Sequence, residues 1–111
     1  MVKTIDDFEF NEKTVLLRTD LNSEVTNGKV ALSERIRLAV ATIEELQKKK
    51  AKVVVLAHQG RPTDNDFTNL QQHADYLKKF IKIKFVNDIV GEKAQDAIKN
   101  LKQGQAILLE N

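Results

Sequence analysis

The sequence predicts an α/β fold built on a parallel sheet, and three observations carry that expectation. Val53-Val-Val-Leu-Ala57 is an unbroken apolar, mostly β-branched run, which reads as a strand buried on both faces. Runs of this kind alternate along the chain with stretches of helical period, the pattern of βαβ units with right-handed crossovers. The central run leads straight into His58-Gln59-Gly60-Arg61-Pro62, a polar cluster at the carboxyl end of a strand. Open α/β sheets bind their ligands at such ends.

In chain order, residues 1–13 form a short polar lead-in whose Phe8 and Phe10 suit a loop or edge segment closing over the sheet. Thr14 to Arg18 is the first strand. Beyond it, Arg18, Asp20 and Asn22 fall at alternating positions. In an extended chain they project from one face with Leu21 opposite; a strand end dissolving into a polar turn is the other reading. Asn27-Gly28, flanked by Val25 and Val30, predicts a small β-hairpin between Glu24 and Leu32. Ser33 then caps a helix running to about Lys49. Ile36, Ala39, Val40, Ile43 and Leu46 keep helical spacing, and Lys48-Lys49-Lys50 complements the negative end of the helix dipole.

After the central strand, residues 62–66 make a polar loop. Thr68 and Gln71 spell a capping box opening a helix from Asn69 to about Phe80, with Leu70, Ala74, Leu77 and Ile81 inward. His73, inside this helix, reads as an exposed or half-buried structural residue. Lys84-Phe85-Val86 is a third strand. Glu92 to Leu101 is a third helix, with Ala94, Ala97, Ile98 and Leu101 inward and Gly104 placed to terminate it. Ala106 to Leu109 is a fourth strand, leading to Glu110-Asn111. The sum is a three-layer α/β/α, Rossmann-like arrangement of four parallel strands and three helices, plus the hairpin. Such a sheet normally continues from its last strand into a binding loop. The parent polypeptide is therefore expected to run past Asn111, and these 111 residues to be part of one domain.

Composition narrows the function classes. The chain is 41% hydrophobic and 31% charged, which suits a globular domain rather than disorder. It has no cysteine, so disulfides and thiolate metal sites are excluded. No apolar run approaches the ~18 residues of a membrane span and no signal-peptide pattern precedes Phe8, so a cytoplasmic protein is expected. A net charge of +2 and six aromatic residues argue against nucleic acid. Arginine, suited to gripping phosphate or carboxylate, is scarce, yet Arg18, Arg35 and Arg61 sit at or beyond predicted strand ends.

Neither a G-x-x-x-x-G-K-[ST] loop nor a G-x-G-x-x-G fingerprint is present. His58 and His73, without matching acidic partners, make a poor metal site. Ser23 and Ser33 lack the strained elbow of a nucleophilic serine. What remains is an anion site assembled from strand ends: Arg18, Asp20 and Asn22, then Arg35 at a helix start, then His58 to Arg61. Gly60 allows close backbone approach and Pro62 stiffens the exit. Backbone N–H groups of that turn, His58 and Arg61 are placed to share a phosphate or carboxylate, and Asp20 and Asn22 to bond hydroxyls. Arg35 opposes the helix dipole, which favours a ligand role, although a solvated surface arginine is the commoner reading.

Leu17-Arg18-Thr19-Asp20-Leu21-Asn22, Ser33-Glu34-Arg35-Ile36, Ala57-His58-Gln59-Gly60-Arg61-Pro62 and Leu108-Leu109-Glu110-Asn111 resemble, in order and spacing, the amino-terminal half of the phosphoglycerate kinase family. Gln59, with Asp66-Phe67-Thr68 after it, is similar to archaeal members; others usually carry leucine there. Ser33-Glu34 stands where Asp-Thr is common, and Ala41 where many members have proline.

The resemblance implies a two-domain kinase passing a phosphoryl group between 1,3-bisphosphoglycerate and ADP, giving 3-phosphoglycerate and ATP. Its amino-terminal domain holds the phosphoglycerate. Mg-ATP or Mg-ADP binds to a carboxyl-terminal domain that is not on this chain, and no metal site is expected here. By resemblance Asp20, Leu21 and Asn22 hold the substrate's hydroxyl and carboxyl region, while His58, Gln59, Gly60 and Arg61 border its phosphate and carboxylate end. Arg35 stabilises the transferring phosphoryl group, and Arg18 supports the loop. The chain alone is then expected to be inactive, with Thr14–Arg18 as an exposed edge prone to self-association. The family's sheet order implies third, fourth, second, first strand. A non-catalytic anion-binding or structural module is the alternative.

Overall fold

The computed structural model describes Glu9 and residues 13–60 and 68–111. The lead-in with Phe8 and Phe10, Arg61, and the loop through Pro62 and Asp66 lie outside the described residues. Among those described, the elements in order are β1 (Thr14–Arg18), β2 (Val25–Thr26), β3 (Lys29–Val30), α1 (Glu34–Lys48), β4 (Lys52–Leu56), α2 (Gln71–Leu77), β5 (Lys84–Val86), α3 (Glu92–Lys99) and β6 (Ala106–Leu109).

The four-stranded sheet is parallel throughout and ordered β5-β6-β4-β1, as the family resemblance implied. Its centre is β4 and β6, whose residues Val53, Val54, Val55 and Ala106 to Leu109 are all buried. Successive side chains alternate between faces. Val53, Val55, Ala106 and Leu108 pack with Ile36, Ala39, Ile43 and Leu46 of α1 and Ala74 and Leu77 of α2. Val54, Ile107 and Leu109 pack with Ala94 of α3, Val86 and Leu101. That double burial makes three layers, and each valine so buried contributes roughly 1.5–3 kcal/mol. On β1, Val15 and Leu17 join the α1 side, whereas Leu16 on the opposite face is 66% exposed. No helix among the described residues is long and apolar enough to cross a membrane.

Local chemistry explains the element ends. The hairpin pairs Val25 with Val30 and Thr26 with Lys29, and Asn27 (φ 52°) and Gly28 (φ 76°) take the two left-handed positions of a type I′ turn. At the start of α1, the Ser33 hydroxyl accepts from the Ile36 N–H. The helix ends in a Schellman motif, with Lys50 N–H donating to the Gln47 carbonyl and Ala51 N–H to that of Leu46. Lys50, at φ 62°, occupies the left-handed position usually taken by glycine.

Three expectations are corrected. α2 is shorter than the predicted 69–80, and its capping box does not form: Gln71 Nε2 reaches forward to Asp75, and Asn69 Oδ1 accepts the Gln71 N–H instead. Leu70 N–H, which a cap would have served, donates to Glu110 Oε1 at 2.9 Å. α3 stops at Lys99, and Gly104 (φ 75°) serves a turn into β6 closed by Gln105 N–H to the Lys102 carbonyl. His73 is fully buried rather than exposed or half-buried.

Candidate anion-binding site

The carboxyl ends of β1, β4 and β6 meet on one rim. The extended run of β1 ends with Thr19 N–H donating to the Leu56 carbonyl. Beyond that point the chain is unpaired, and Asp20 Oδ1 accepts the Asn22 N–H at 3.0 Å, a polar local tie just past the strand end. Leu21 is fully buried and anchors this segment in the core, opposite exposed Asp20. The next residue, Ser23, bonds Ser33 through the two hydroxyls at 2.8 Å, which ties the β1 loop to the start of α1.

That tie sets Arg35. From the first turn of α1 its Nη1 donates to the Asn22 carbonyl (3.2 Å) and its Nε lies 3.4 Å from Asp20 Oδ2. Both side chains are more than half exposed, so the pair is worth well under 1 kcal/mol of stability. Its effect is positional: Asp20 offsets the unfavourable dipole and holds the guanidinium over the loop.

Asn22 Oδ1 accepts the Gly60 N–H at 2.8 Å, which joins the β1 loop to the β4 loop. Gly60 is left-handed (φ 64°), so the backbone turns there at a position open to glycine. His58, just before it, is exposed. Gln59 is fully buried beneath the rim. Its amide pairs with the Ser23 peptide, Oε1 accepting from Ser23 N–H (2.7 Å) and Nε2 donating to the Ser23 carbonyl (2.8 Å). His73 Nε2 stands 2.9 Å from the same Oε1.

The β6 end contributes Glu110 and Asn111. Asn111 Oδ1 accepts the Gln59 N–H, and its Nδ2 donates to the carbonyls of Gln59 and Thr68. Two N–H groups of the β4 turn, those of Gln59 and Gly60, are thus committed within the protein. Arg18 is exposed at the end of β1.

The structure therefore brings Asp20, Asn22, Arg35 and Gly60 together directly, and places Leu21 and Gln59 underneath them. Sequence reasoning missed Asn111 and Glu110 as ties and His73 as a buried partner of Gln59. For His73 a signal existed, since it lies three residues after Leu70 and four before Leu77, on the buried stripe of α2. Elsewhere on the carboxyl side, Asp88 is held below the usual carboxylate range by N–H donors, chiefly that of Ala94 and then those of Ile89 and Gly91, at the start of α3. A groove of about 890 Å³ between β5 and α3, lined by Lys84, Lys93 and Asp96, lies at the sheet's edge and not at this rim.

The sequence profile of the phosphoglycerate kinase family matches residues 5–111. The phosphoglycerate kinase of Methanopyrus kandleri is 46% identical over 111 residues, covering 99% of this chain and 27% of that protein. That of Methanobacterium bryantii is 48% identical over 112 residues, covering 97% of this chain and 27% of its own length. Among solved structures, phosphoglycerate kinase from Pyrococcus horikoshii OT3 superposes with a TM-score of 0.86 at 38% identity, over 96% of this chain and 27% of that one. The chain thus spans about a quarter of the length of the curated relatives it matches. These relatives are archaeal, in keeping with the Gln59 form of the β4 motif. With the family profile spanning nearly its whole length, the chain belongs to the phosphoglycerate kinase family.

Proposed function

We propose that this chain is the phosphoglycerate-binding, amino-terminal part of a phosphoglycerate kinase, working in the cytoplasm. The observation that carries the reading is the convergence of Arg35, Asp20, Asn22 and Gly60 at the carboxyl ends of β1 and β4. Asp20 and Asn22 offer acceptors and an amide to a hydroxylated acid. Arg35, His58 and Arg61 offer charge-assisted donors to its phosphate and carboxylate. Leu21 and Gln59 shape the rim from beneath, and Arg18 supports it. Phosphoryl transfer depends on positioning and on spreading charge over the equatorial oxygens, and that is the task assigned to the Arg35 guanidinium.

Mg-ATP or Mg-ADP supplies or accepts the phosphoryl group in such an enzyme. The described residues contain no cluster of three carboxylate or imidazole groups to hold a metal, and nucleotide contacts are assigned to none of them. This chain alone is expected to be inactive and to bind 3-phosphoglycerate weakly or not at all; micromolar affinity by calorimetry would contradict that.

The test uses the complete protein. Wild type should consume ATP in the presence of 3-phosphoglycerate, and its failure to do so overturns the reading. Arg35→Ala should lower kcat by roughly 100- to 1,000-fold while changing substrate affinity little. Equal effects on both would make Arg35 a binding residue only.

A further inference from the structure

Gln59 and His73 are both fully buried, which is unusual for a primary amide and an imidazole that face no solvent. Their bonds determine their chemistry. The Ser23 peptide presents a donor and an acceptor side by side, so the Gln59 amide fits in one orientation only: Oε1 toward the Ser23 N–H and Nε2 toward its carbonyl. Oε1 is an acceptor, so the His73 Nε2 that faces it at 2.9 Å must carry a proton. His73 Nδ1, buried and without a partner among the described residues, is then the bare ring nitrogen. A second proton there would be a buried donor with nothing to receive it.

We infer that His73 is a positioning residue for the anion rim: its Nε2–H holds the Gln59 amide in register with the Ser23 peptide, and so sets Asn22 and Gly60. The route is short. Ser23 adjoins Asn22 and Gln59 adjoins Gly60, and Asn22 Oδ1 bonds the Gly60 N–H across the two loops. Asn22 also gives its carbonyl to Arg35. Losing the His73 donor removes one of the bonds that orient the Gln59 amide and so loosens its grip on the Ser23 backbone, the contact that ties the two loops. This inference rests on the reading of the rim as the phosphoglycerate site. The neutral ring it requires agrees with burial pushing the His73 pKa down to about 4.

The tautomer is tested first, by long-range proton–nitrogen NMR of the imidazole in the complete wild-type protein at neutral pH. A single Nε2–H form with Nδ1 unprotonated is expected; an Nδ1–H form, or exchange between the two, overturns the proposal. Kinetics follow on the complete protein, once wild type has shown 3-phosphoglycerate-dependent ATP turnover. Without that turnover the functional reading fails, independently of the tautomer. His73→Leu should raise KM for 3-phosphoglycerate by about 10-fold with kcat within about twofold. His73→Gln, whose amide nitrogen reaches the position of Nε2, should bring KM back to within about threefold of wild type. A folded His73→Leu protein with the wild-type KM, or a His73→Gln variant no better than His73→Leu, refutes the positioning role and leaves His73 as packing.

Discussion

Acid should weaken this fold through one histidine. Burial pushes the His73 pKa down to about 4 from its ordinary 6.5, so the folded state favours the neutral ring while the unfolded chain takes up the proton first. Stability contributed by the neutral ring is complete above about pH 6.5 and is lost as pH falls toward 4. At about 1.36 kcal/mol per pH unit, the loss between about pH 7.5 and 5 is on the order of 2 kcal/mol, approaching ~3 kcal/mol at pH 4. Small domains have only about 5–15 kcal/mol in all, so the effect is large enough to measure. Urea unfolding of wild type and His73→Leu at a series of pH values isolates it, because every other ionisable side chain is common to both. The stability difference between the two proteins should change by about 2 kcal/mol over that range, with wild type losing ground. A difference that stays constant within ~0.5 kcal/mol would refute the account of a buried, proton-excluding site.

Other outcomes follow from the ties around the rim and at the helix ends. Asn111→Ala removes three side-chain bonds to the backbone of Gln59 and Thr68 and should cost about 2–3 kcal/mol in urea unfolding; a loss below ~0.5 kcal/mol would mean the loops hold without it. Lys50→Gly relieves the left-handed strain at the end of α1 and should stabilise by roughly 1 kcal/mol, read as a higher urea midpoint. No gain there would show that Lys50 recovers its strain through other contacts. β1 lies at one edge of the described sheet, with Leu16 exposed on it, so the 111-residue chain should self-associate with rising concentration in light scattering. Strictly monomeric behaviour at high concentration would count against an available edge.

Much of the fold was legible because its causes are local. Ser33 caps α1 with its own hydroxyl, Asn27-Gly28 adopts the turn that this pair favours, and the apolar runs of β4 and β6 are long enough to mark strands buried on both faces. Where local signals competed, the distant partner won. Thr68 and Gln71 match a capping box, yet Glu110, forty residues away, serves the Leu70 N–H instead. The candidate site divides the same way. Arg35, Asp20, Asn22 and His58 to Arg61 stand out as polar groups at strand and helix ends, but nothing in sequence pairs Arg35 with Asp20 or Asn22 with Gly60.

The sequence by itself determined the element types, the carboxyl-end location of the polar rim and, through four motifs, the family. Those depend on periodicity, turn chemistry and residue identity, all carried within a few neighbours. Only the tertiary structure decided that Gln59 and Asn111 are fasteners beneath the rim, that two N–H groups of the β4 turn are already committed, and that His73 is sealed from water. These are pairings of groups 14 to 52 residues apart. A buried amide or imidazole looks in sequence like any exposed one until the groups that satisfy it arrive from another element.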